Sequence, residues 1–188
     1  RVIAVMKIIV AVTAASGAIY ARLIVEELLR CDCVERIALI YSDTARAVVA
    51  AEGVTLPESE RITVYDNSDM FGSPASGSAR WDAMVVAPSS VGTVGRVAAG
   101  VSQTLIERAA DVMLKERRRL IFVVRETPLS LIHLRNMTTL TEAGAVILPA
   151  SPSFYSQPRN IEQLCRTVVE RVVAMLGIDA PHYEWGKE

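Results

Sequence analysis

Short apolar runs alternate with longer helical patterns along this 188-residue chain, and this alternation restricts its fold more than any other feature. Residues 7–13 read as a buried parallel strand, and residues 17–30 follow with apolar side chains at helical spacing. The same strand-then-helix pattern recurs toward the end of the chain. Strands that alternate with helices of this length form βαβ units and a parallel sheet.

The later elements repeat this unit. The predicted fold class is therefore α/β, with a Rossmann-like (flavodoxin-like) doubly wound parallel sheet in a three-layer arrangement. Residues 73–80 read as a loop-rich surface excursion and not as a linker. The further predicted strands are 36–41, 83–87, 120–124 and 145–148, and the further helices are 43–52, 91–98, 103–115, 130–143 and 160–176.

Length and composition favour one domain over residues 1–188, with residues 1–6 expected to be a non-native or disordered start and 178–188 a C-terminal tail. Hydrophobic residues make up 51% of the chain, which suggests buried contacts between subunits. No apolar run is long enough to span a bilayer. Lys and Arg number 20 against 21 Asp and Glu, so we expect neither a membrane nor a nucleic-acid partner.

The three cysteines, Cys31, Cys33 and Cys165, form no CxxC pair and leave an odd thiol. This usage favours a reducing compartment, the cytoplasm by default, and argues against a metal cage. Two distant histidines, His133 and His182, do not make an HExxH zinc site. His133 lies in the apolar run LIHL, which favours a buried core histidine over a ligand.

The carboxyl ends of parallel strands share one edge of a sheet, and ligands of open α/β sheets bind there. Hydroxyls, two glycines (Gly17 and Gly92), Arg125 and Glu126 follow the predicted strand ends and should converge on this rim. Side-chain donors and helix N-terminal amides together suit a phosphate group. The segments that should meet are 13–17, 41–43, 88–93, 125–128 and 149–155.

Each rim residue also has a simpler structural interpretation. Ser16 and Ser42 could cap helices instead of contacting a ligand, and Arg125 could pair with Glu126 alone. Tyr155, unaided by any resemblance, is favoured as a plug at the edge of the core. The tandem serines at 89 and 90, followed by Gly92 and Thr93, favour a phosphate or flavin contact. The basic run 115–119 is most simply a solvated helix end.

Several nucleotide and hydrolase motifs are absent from the sequence. The first loop is neither GxGxxG nor GxxxxGK, so dinucleotide and ATP binding lose their usual support. No GxSxG elbow is present, which argues against a serine hydrolase.

Read in order, the rim segments resemble the flavin prenyltransferase family, whose members make prenylated FMN for partner decarboxylases. The likeness extends over nearly all of residues 7–177. The most specific stretches are RETPLSLIHLRNM at 125–137 and ERAADVMLKERR at 107–118. The others are ASGAIYA at 15–21, the turn at Ser42, MVVAPSSVGT at 84–93 and GAVILPASPSFY ending at Tyr155.

The resemblance implies roles for individual residues. It places Glu126, Glu52 and Ser16 near the reacting groups. It implies that Tyr155 and Arg171 hold the dimethylallyl phosphate, Arg171 from the final helix at a subunit boundary, and that Trp185 is an aromatic close to the prenyl group. The FMN-binding positions that it implies are Ala14, Ala15, Ser16, Ser42, Ser90, Val91, Gly92, Thr93 and Arg125.

Two positions depart from the usual family pattern. Ala14 stands where the first loop usually has glycine, so the backbone there must accept a β-carbon beside the flavin phosphate. Gly92 stands where many members have lysine, which removes one positive charge and makes Arg125 and Arg171 more important.

The resemblance predicts a metal-independent flavin prenyltransferase that joins a dimethylallyl group from dimethylallyl phosphate to N5 and C6 of reduced FMN. It also implies a homo-oligomer, a dodecamer, that passes its product to a UbiD-type decarboxylase. Two alternatives are an FMN-dependent decarboxylase of a peptidyl cysteine or thiol acid, and a non-catalytic FMN carrier. The decarboxylase is disfavoured because neither its catalytic histidine nor a Pro-Ala-Met-Asn motif is evident.

Overall fold

The computed structural model describes residues 5–180. Helices and strands alternate along this part of the chain, as the apolar pattern predicts. The strands are β1 Met6–Val12, β2 Val34–Tyr41, β3 Ile62–Tyr65, β4 Ala83–Ser89, β5 Arg119–Val124 and β6 Val146–Pro149. The helices are α1 Ala18–Arg30, α2 Ala45–Ala51, α3 Val91–Ala98, α4 Leu105–Lys115, α5 Leu131–Glu142 and α6 Ile161–Met175.

The strands form one sheet in the order β3-β2-β1-β4-β5-β6, and every neighbouring pair is parallel. The chain moves outward from β1 to β3, returns to pair β4 with β1, and then continues outward in the other direction. This reversal creates a topological switch point between β1 and β4. The predicted doubly wound, Rossmann-like fold class is confirmed.

Alternating strand residues build a core on each face of the sheet. Ile8, Val10 and Val12 of β1 pack with α1 and α6, whereas Ile9 and Ala11 pack with α3 and α4 on the opposite face. Both sets are fully buried, which explains why the strand reads as a continuous apolar run. The sheet is thus held rigidly between two helical layers.

Several predicted boundaries differ from the structure. The short strand β3 was not predicted, and residues 73–80 contain two short 3-10 turns. Met6, assigned above to a disordered start, is the first residue of β1, and its N–H donates to the Cys33 carbonyl at 2.7 Å. Ile178, assigned to a tail, is 6% exposed and packs into the core with α6.

The cysteines are paired differently from the prediction. A disulfide joins Cys31 and Cys33 at the end of α1, and Cys165 is a buried free thiol on α6. A disulfide does not favour a reducing compartment, so only the odd thiol, Cys165, still supports that prediction. The cytoplasmic location stays a prediction. Among residues 5–180, no helix has the length and apolar character needed to cross a bilayer.

Helix α5 is packed less deeply than its apolar sequence suggests. Leu131, Ile132 and Leu134 are 61%, 68% and 47% exposed. His133 is only partly buried, and its Nδ1 accepts the N–H of Ser130 in a capping box at the start of α5. The prediction of a core histidine is therefore wrong, because this helix turns much of its apolar surface away from the sheet.

Candidate functional site

Backbone and side-chain hydrogen bonds join the predicted rim segments at the carboxyl edge of the sheet. The buried Thr13 hydroxyl donates to the Pro88 carbonyl at 2.7 Å and accepts the Ser90 N–H at 2.8 Å, which links β1 to β4 across the switch point. On either side, Ser42 N–H donates to Val12 and Arg125 N–H to Ser89. The strand ends therefore converge as the sequence predicts.

The first loop ends in an arrangement that brings Glu52 to the start of α1. Gly17, at the N-cap, has φ 111°, and a β-carbon there would lie 2.9 Å from the Tyr20 ring, so glycine is required. The Glu52 carboxylate accepts the N–H of Gly17 at 3.0 Å and that of Ala18 at 2.7 Å. Ser16 does not cap α1 itself, and it hydrogen-bonds to Glu52 instead.

These contacts determine the charge state of Glu52. Partial burial raises its pKa, but the hydrogen bonds from Ser16 and from the Ala18 and Gly17 amides, together with the Arg125 charge, outweigh burial. The pKa of Glu52 consequently lies below its ordinary value. Glu52 is therefore a carboxylate at neutral pH, able to accept a proton or a hydrogen bond, and the positive charge of Arg125 is close enough to stabilise it.

A polar cleft of about 530 Å³ opens beside the switch point. The Ser42 hydroxyl in this cleft is buried and has no hydrogen-bond partner among residues 5–180. It does not cap α2, whose N-cap is Thr44. Since buried hydroxyls are nearly always hydrogen-bonded, this one indicates a missing acceptor or donor. The cleft is lined by Ala14, Ser42, Asp43, Thr44, Asn67, Ser90, Thr93, Arg96, Gln103, Thr104, Ile106 and Glu107.

Helix α3 begins at this cleft. Ser90 is its N-cap, and the Ser90 hydroxyl accepts the Thr93 N–H at 3.2 Å and lies 3.0 Å from the Thr93 hydroxyl. Val91 and Gly92 form its first turn, where backbone N–H groups favour an anion. Ala14 lines the same cleft without a positive φ, so the β-carbon that replaces the usual glycine is accommodated. These features suit a phosphate.

A second cleft, of about 310 Å³, lies at the ends of β5 and β6. Arg125 and Glu126 line it with apolar neighbours that include Leu129, Met137 and Pro149. Arg125 forms no salt bridge to Glu126 or to any other carboxylate among residues 5–180, so the simple ion-pair interpretation is not supported. Glu126 accepts the N–H of Thr127 at 3.0 Å. The charged and apolar walls suit a ligand with one anionic and one apolar end.

Tyr155 and Arg171 are not among the residues that line these two clefts. Tyr155, in the loop after β6, is 67% exposed, so it does not plug the core edge. Arg171 is exposed on α6, about 15 Å along the helix axis from Ile161 at its start. Trp185 lies outside the described residues.

Sequence reasoning missed several residues of the larger cleft. Asn67 follows the unpredicted strand β3, and its Oδ1 accepts the Ile106 N–H at 3.1 Å at the start of α4. Gln103, Thr104 and Glu107 reach the cleft from the loop before α4 and its first turn. Arg96 could have been found from its spacing, because it lies one helical turn after Gly92. No group of metal-ligating side chains occurs among residues 5–180.

Together, the fold and this rim are those of an α/β protein with a polar, phosphate-compatible cleft at the switch point. A family model described as Flavoprotein matches residues 3–175. The chain is 42% identical over 185 residues to a flavin prenyltransferase UbiX from Methanocaldococcus jannaschii, covering 96% of this chain and 99% of that protein.

Solved structures agree with the sequence comparison. AnUbiX (PadA1), in complex with FMN and dimethylallyl pyrophosphate, has a TM-score of 0.88 at 39% identity and covers 96% of this chain and 99% of its own. A dodecameric FMN-dependent Ubix-like decarboxylase from Escherichia coli O157:H7 also has a TM-score of 0.88, at 34% identity, with 97% and 100% covered. This chain belongs to the flavin prenyltransferase family of flavoproteins, and the predicted resemblance is confirmed.

Proposed function

We propose that this chain is a flavin prenyltransferase that transfers a dimethylallyl group from dimethylallyl phosphate to N5 and C6 of reduced FMN. The observation that carries the proposal is the buried Ser42 hydroxyl, which has no partner among residues 5–180 and lies in the polar cleft of a family member. A flavin phosphate would supply the missing acceptor. The relatives named above carry the corresponding activity or ligands.

The larger cleft fits the phosphate end of FMN. Ser42, Ser90 and Thr93 offer hydroxyls there, and the first turn of α3 offers backbone N–H groups. Among the predicted FMN contacts, Ala14 and Ala15 belong to the loop between β1 and α1, beside this cleft. From this anchor the flavin ring would extend along the rim toward Arg125.

In the first step, C1 of the dimethylallyl group would bond to N5 of reduced FMN as its bond to the phosphate oxygen breaks, and N5 would lose its proton. Ring closure at C6 would then need a proton added to the remaining double bond and the C6 proton removed. The leaving phosphate keeps the electron pair, so a positive charge must be placed beside it. Arg125 lies in the second cleft with Glu126, where it can stabilise the developing negative charge while Glu126 exchanges a proton with the phosphate. Charge-assisted hydrogen bonds of this kind contribute about 1.5–3 kcal/mol each.

Ser16 and Glu52 act on the flavin side of the reaction. Glu52 is an anion whose oxygens are held by the Gly17 and Ala18 amides. We assign to Glu52 the role of a base that accepts the proton leaving the flavin when the ring closes at C6. Ser16, hydrogen-bonded to Glu52, would relay or orient this proton.

Tyr155 and Arg171 require neighbouring subunits to take part. Exposed apolar side chains cover α5 and the loop after β6, with Ile132 at 68% and Phe154 at 70% exposure. Patches of this kind mark protein interfaces. We propose a homo-oligomer, a dodecamer like the E. coli relative, in which Arg171 of one subunit binds the donor phosphate at another subunit's rim. Its product would pass to a UbiD-type decarboxylase in the cytoplasm.

The two alternatives make different demands on the rim. A carrier that only delivers FMN needs the larger cleft but not Glu126. A decarboxylase of a peptidyl cysteine or thiol acid would act on a carboxylate and leave the flavin unmodified. The relative that shares 42% identity over nearly the full length is named as a prenyltransferase, which favours the enzyme proposed here.

Glu126→Gln separates enzyme from carrier. Within residues 5–180, the one hydrogen bond that Glu126 makes is from its neighbour Thr127, so the variant should fold and bind FMN normally. Removing a general acid should lower kcat by about 100-fold or more. The measurements are FMN titration and anaerobic turnover, with Glu142→Gln on α5 as the control. Absence of turnover in the wild type would favour a carrier, whereas unchanged turnover in Glu126→Gln would show that Glu126 is not the catalytic acid.

A further inference from the structure

Arg96 is the only cationic residue among those that line the larger cleft, and a buried carboxylate holds it in place. Its Nε donates to Glu107 Oε1 at 2.6 Å. The Glu107 side chain is 4% exposed, whereas that of Arg96 is 50% exposed. The Nε side of the guanidinium is therefore held by Glu107, and the side that carries Nη1 and Nη2 faces the open cleft.

Glu107 cannot easily move away from Arg96. Its Oε2 accepts the N–H of Gln103 at 2.9 Å and that of Thr104 at 3.1 Å. Its own N–H donates to the Thr104 hydroxyl, which completes a capping box at the start of α4. The carboxylate is thus held at the N-terminus of α4, and its hydrogen bond to Nε restricts where the Arg96 guanidinium can lie.

The other two guanidinium nitrogens point along the first turn of α3. Nη2 lies 3.4 Å from the Thr93 hydroxyl, close to the limit for a hydrogen bond. Nη1 donates to no acceptor among residues 5–180, and it would lie 3.3 Å from a β-carbon at position 92. Gly92 therefore leaves room for the guanidinium beside the α3 N-terminus.

These positions place a cation next to the hydroxyls of Ser90, Thr93 and the unpartnered Ser42. The charge of Glu107 is already paired with Arg96. The remaining acid of the cleft, Asp43, accepts from the Asn67 amide at 3.4 Å. A positive charge strengthens the hydrogen bonds to a dianion that enters the cleft, and Arg96 is the one lining residue that supplies it.

We propose that Arg96 binds the phosphate of FMN and that Glu107 is its positioning residue. The proposal rests on the proposed function, because it takes FMN as the ligand. Nη1 and Nη2 form a fork toward the phosphate, while the pair with Glu107 keeps the fork from turning toward solvent. Arg125, on the other side of the switch point, is left free for the second cleft.

The test compares FMN with riboflavin, which has the same ring system and no phosphate. In Arg96→Ala the dissociation constant for FMN should rise about 10- to 100-fold, since a charge-assisted contact is lost, and that for riboflavin should stay within about twofold. Arg36→Ala is the control. Arg36 is exposed near the start of β2, next to Lys7 of β1 in the strand register, and therefore at the edge of the sheet opposite the cleft. Glu107→Gln keeps the cap and should give a smaller, phosphate-dependent loss.

Thermal unfolding checks that each variant is folded. If Arg96→Ala does not fold, Arg96→Gln carries the test, because its amide can still donate to Glu107. Equal FMN affinity in wild type and the Arg96 variant would overturn this proposal, and prenylation by that same variant would show that the proposed function stands without it. A wild-type protein that binds FMN no better than riboflavin would also overturn the Arg96 proposal. The mass of the flavin product tests the proposed function separately.

Discussion

The Glu52 carboxylate accepts the Ala18 N–H at 2.7 Å, so a side chain from the end of α2 caps the start of α1. A helix N-terminus would otherwise attract a ligand phosphate. Here that position already carries a negative charge, whereas the N-terminus of α3 lies in an open polar cleft with Ser90 at its cap. Of these two helix N-termini, the one at α3 is therefore open to a ligand phosphate, whereas the one at α1 is occupied by the Glu52 carboxylate from the end of α2.

This cap predicts a pH-dependent effect of Glu52→Gln. The folded-state pKa of Glu52 is lowered, so its charge contributes stability that is fully present above the unfolded pKa of about 4.3 and is lost as the pH falls through the folded pKa. Near pH 7 the variant should be less stable by about 0.3–1 kcal/mol, the usual value for a charge at a helix terminus. At a pH below the lowered folded-state pKa, where Glu52 is protonated, the two proteins should converge.

Urea unfolding at pH 7 and pH 3 measures this difference. Glu60→Gln, an exposed acid in the loop before β3, is the matched control and should show no such change. A penalty for Glu52→Gln that is the same at both pH values would contradict the assigned charge state.

Ser42→Ala should separate stability from ligand binding. In the FMN-free protein the hydroxyl has no partner among residues 5–180, so its removal should leave the melting temperature unchanged or raise it. The dissociation constant for FMN should rise about 10-fold, since a hydroxyl contact to a charged phosphate is lost.

The contrasting variant is Ser90→Ala. It removes the acceptor for the Thr93 N–H at the α3 N-cap, so it should cost about 1 kcal/mol without any ligand. A clear loss of stability in FMN-free Ser42→Ala would mean that Ser42 is a structural residue.

Gly17→Ala should destabilise the protein more than a substitution at another left-handed glycine. Both Gly17, with φ 111°, and Gly53, with φ 64°, have conformations that cost L-residues about 1–2 kcal/mol. A β-carbon at Gly17 would also meet the Tyr20 ring at 2.9 Å, whereas none of the described atoms lies within 4 Å of one at Gly53. Urea unfolding should therefore show the larger loss for Gly17→Ala, and equal losses would contradict the close contact.

The sequence predicts the sheet and the rim well, because both depend on local patterns. Buried parallel strands are continuous apolar runs, and their carboxyl ends must share an edge. Strand β3 was missed since Ile62–Tyr65 is a four-residue edge strand with no fully buried residue. Without β3, the position of Asn67 at the cleft could not be foreseen.

The contacts made by individual side chains were harder to predict. The Glu52 cap depends on how α2 ends beside α1, and the Arg96–Glu107 pair joins two separate helices. Neither has a signature in the local sequence. His133 and Tyr155 were assigned to the core because apolar neighbours usually mean burial, yet both lie in a region whose apolar side chains remain exposed in one chain. Apolar surface that other subunits cover has the same sequence pattern as a core.

The most direct measurement combines the protein, reduced FMN and dimethylallyl phosphate without oxygen, and then determines the mass of the released flavin. We predict a gain of one five-carbon unit, with equal yield in the presence of EDTA, because the proposed site binds the donor phosphate through arginine side chains and not through a metal. Flavin recovered as unmodified FMN would contradict the proposed function. Activity that is lost in EDTA and restored by magnesium would contradict the metal-independent mechanism.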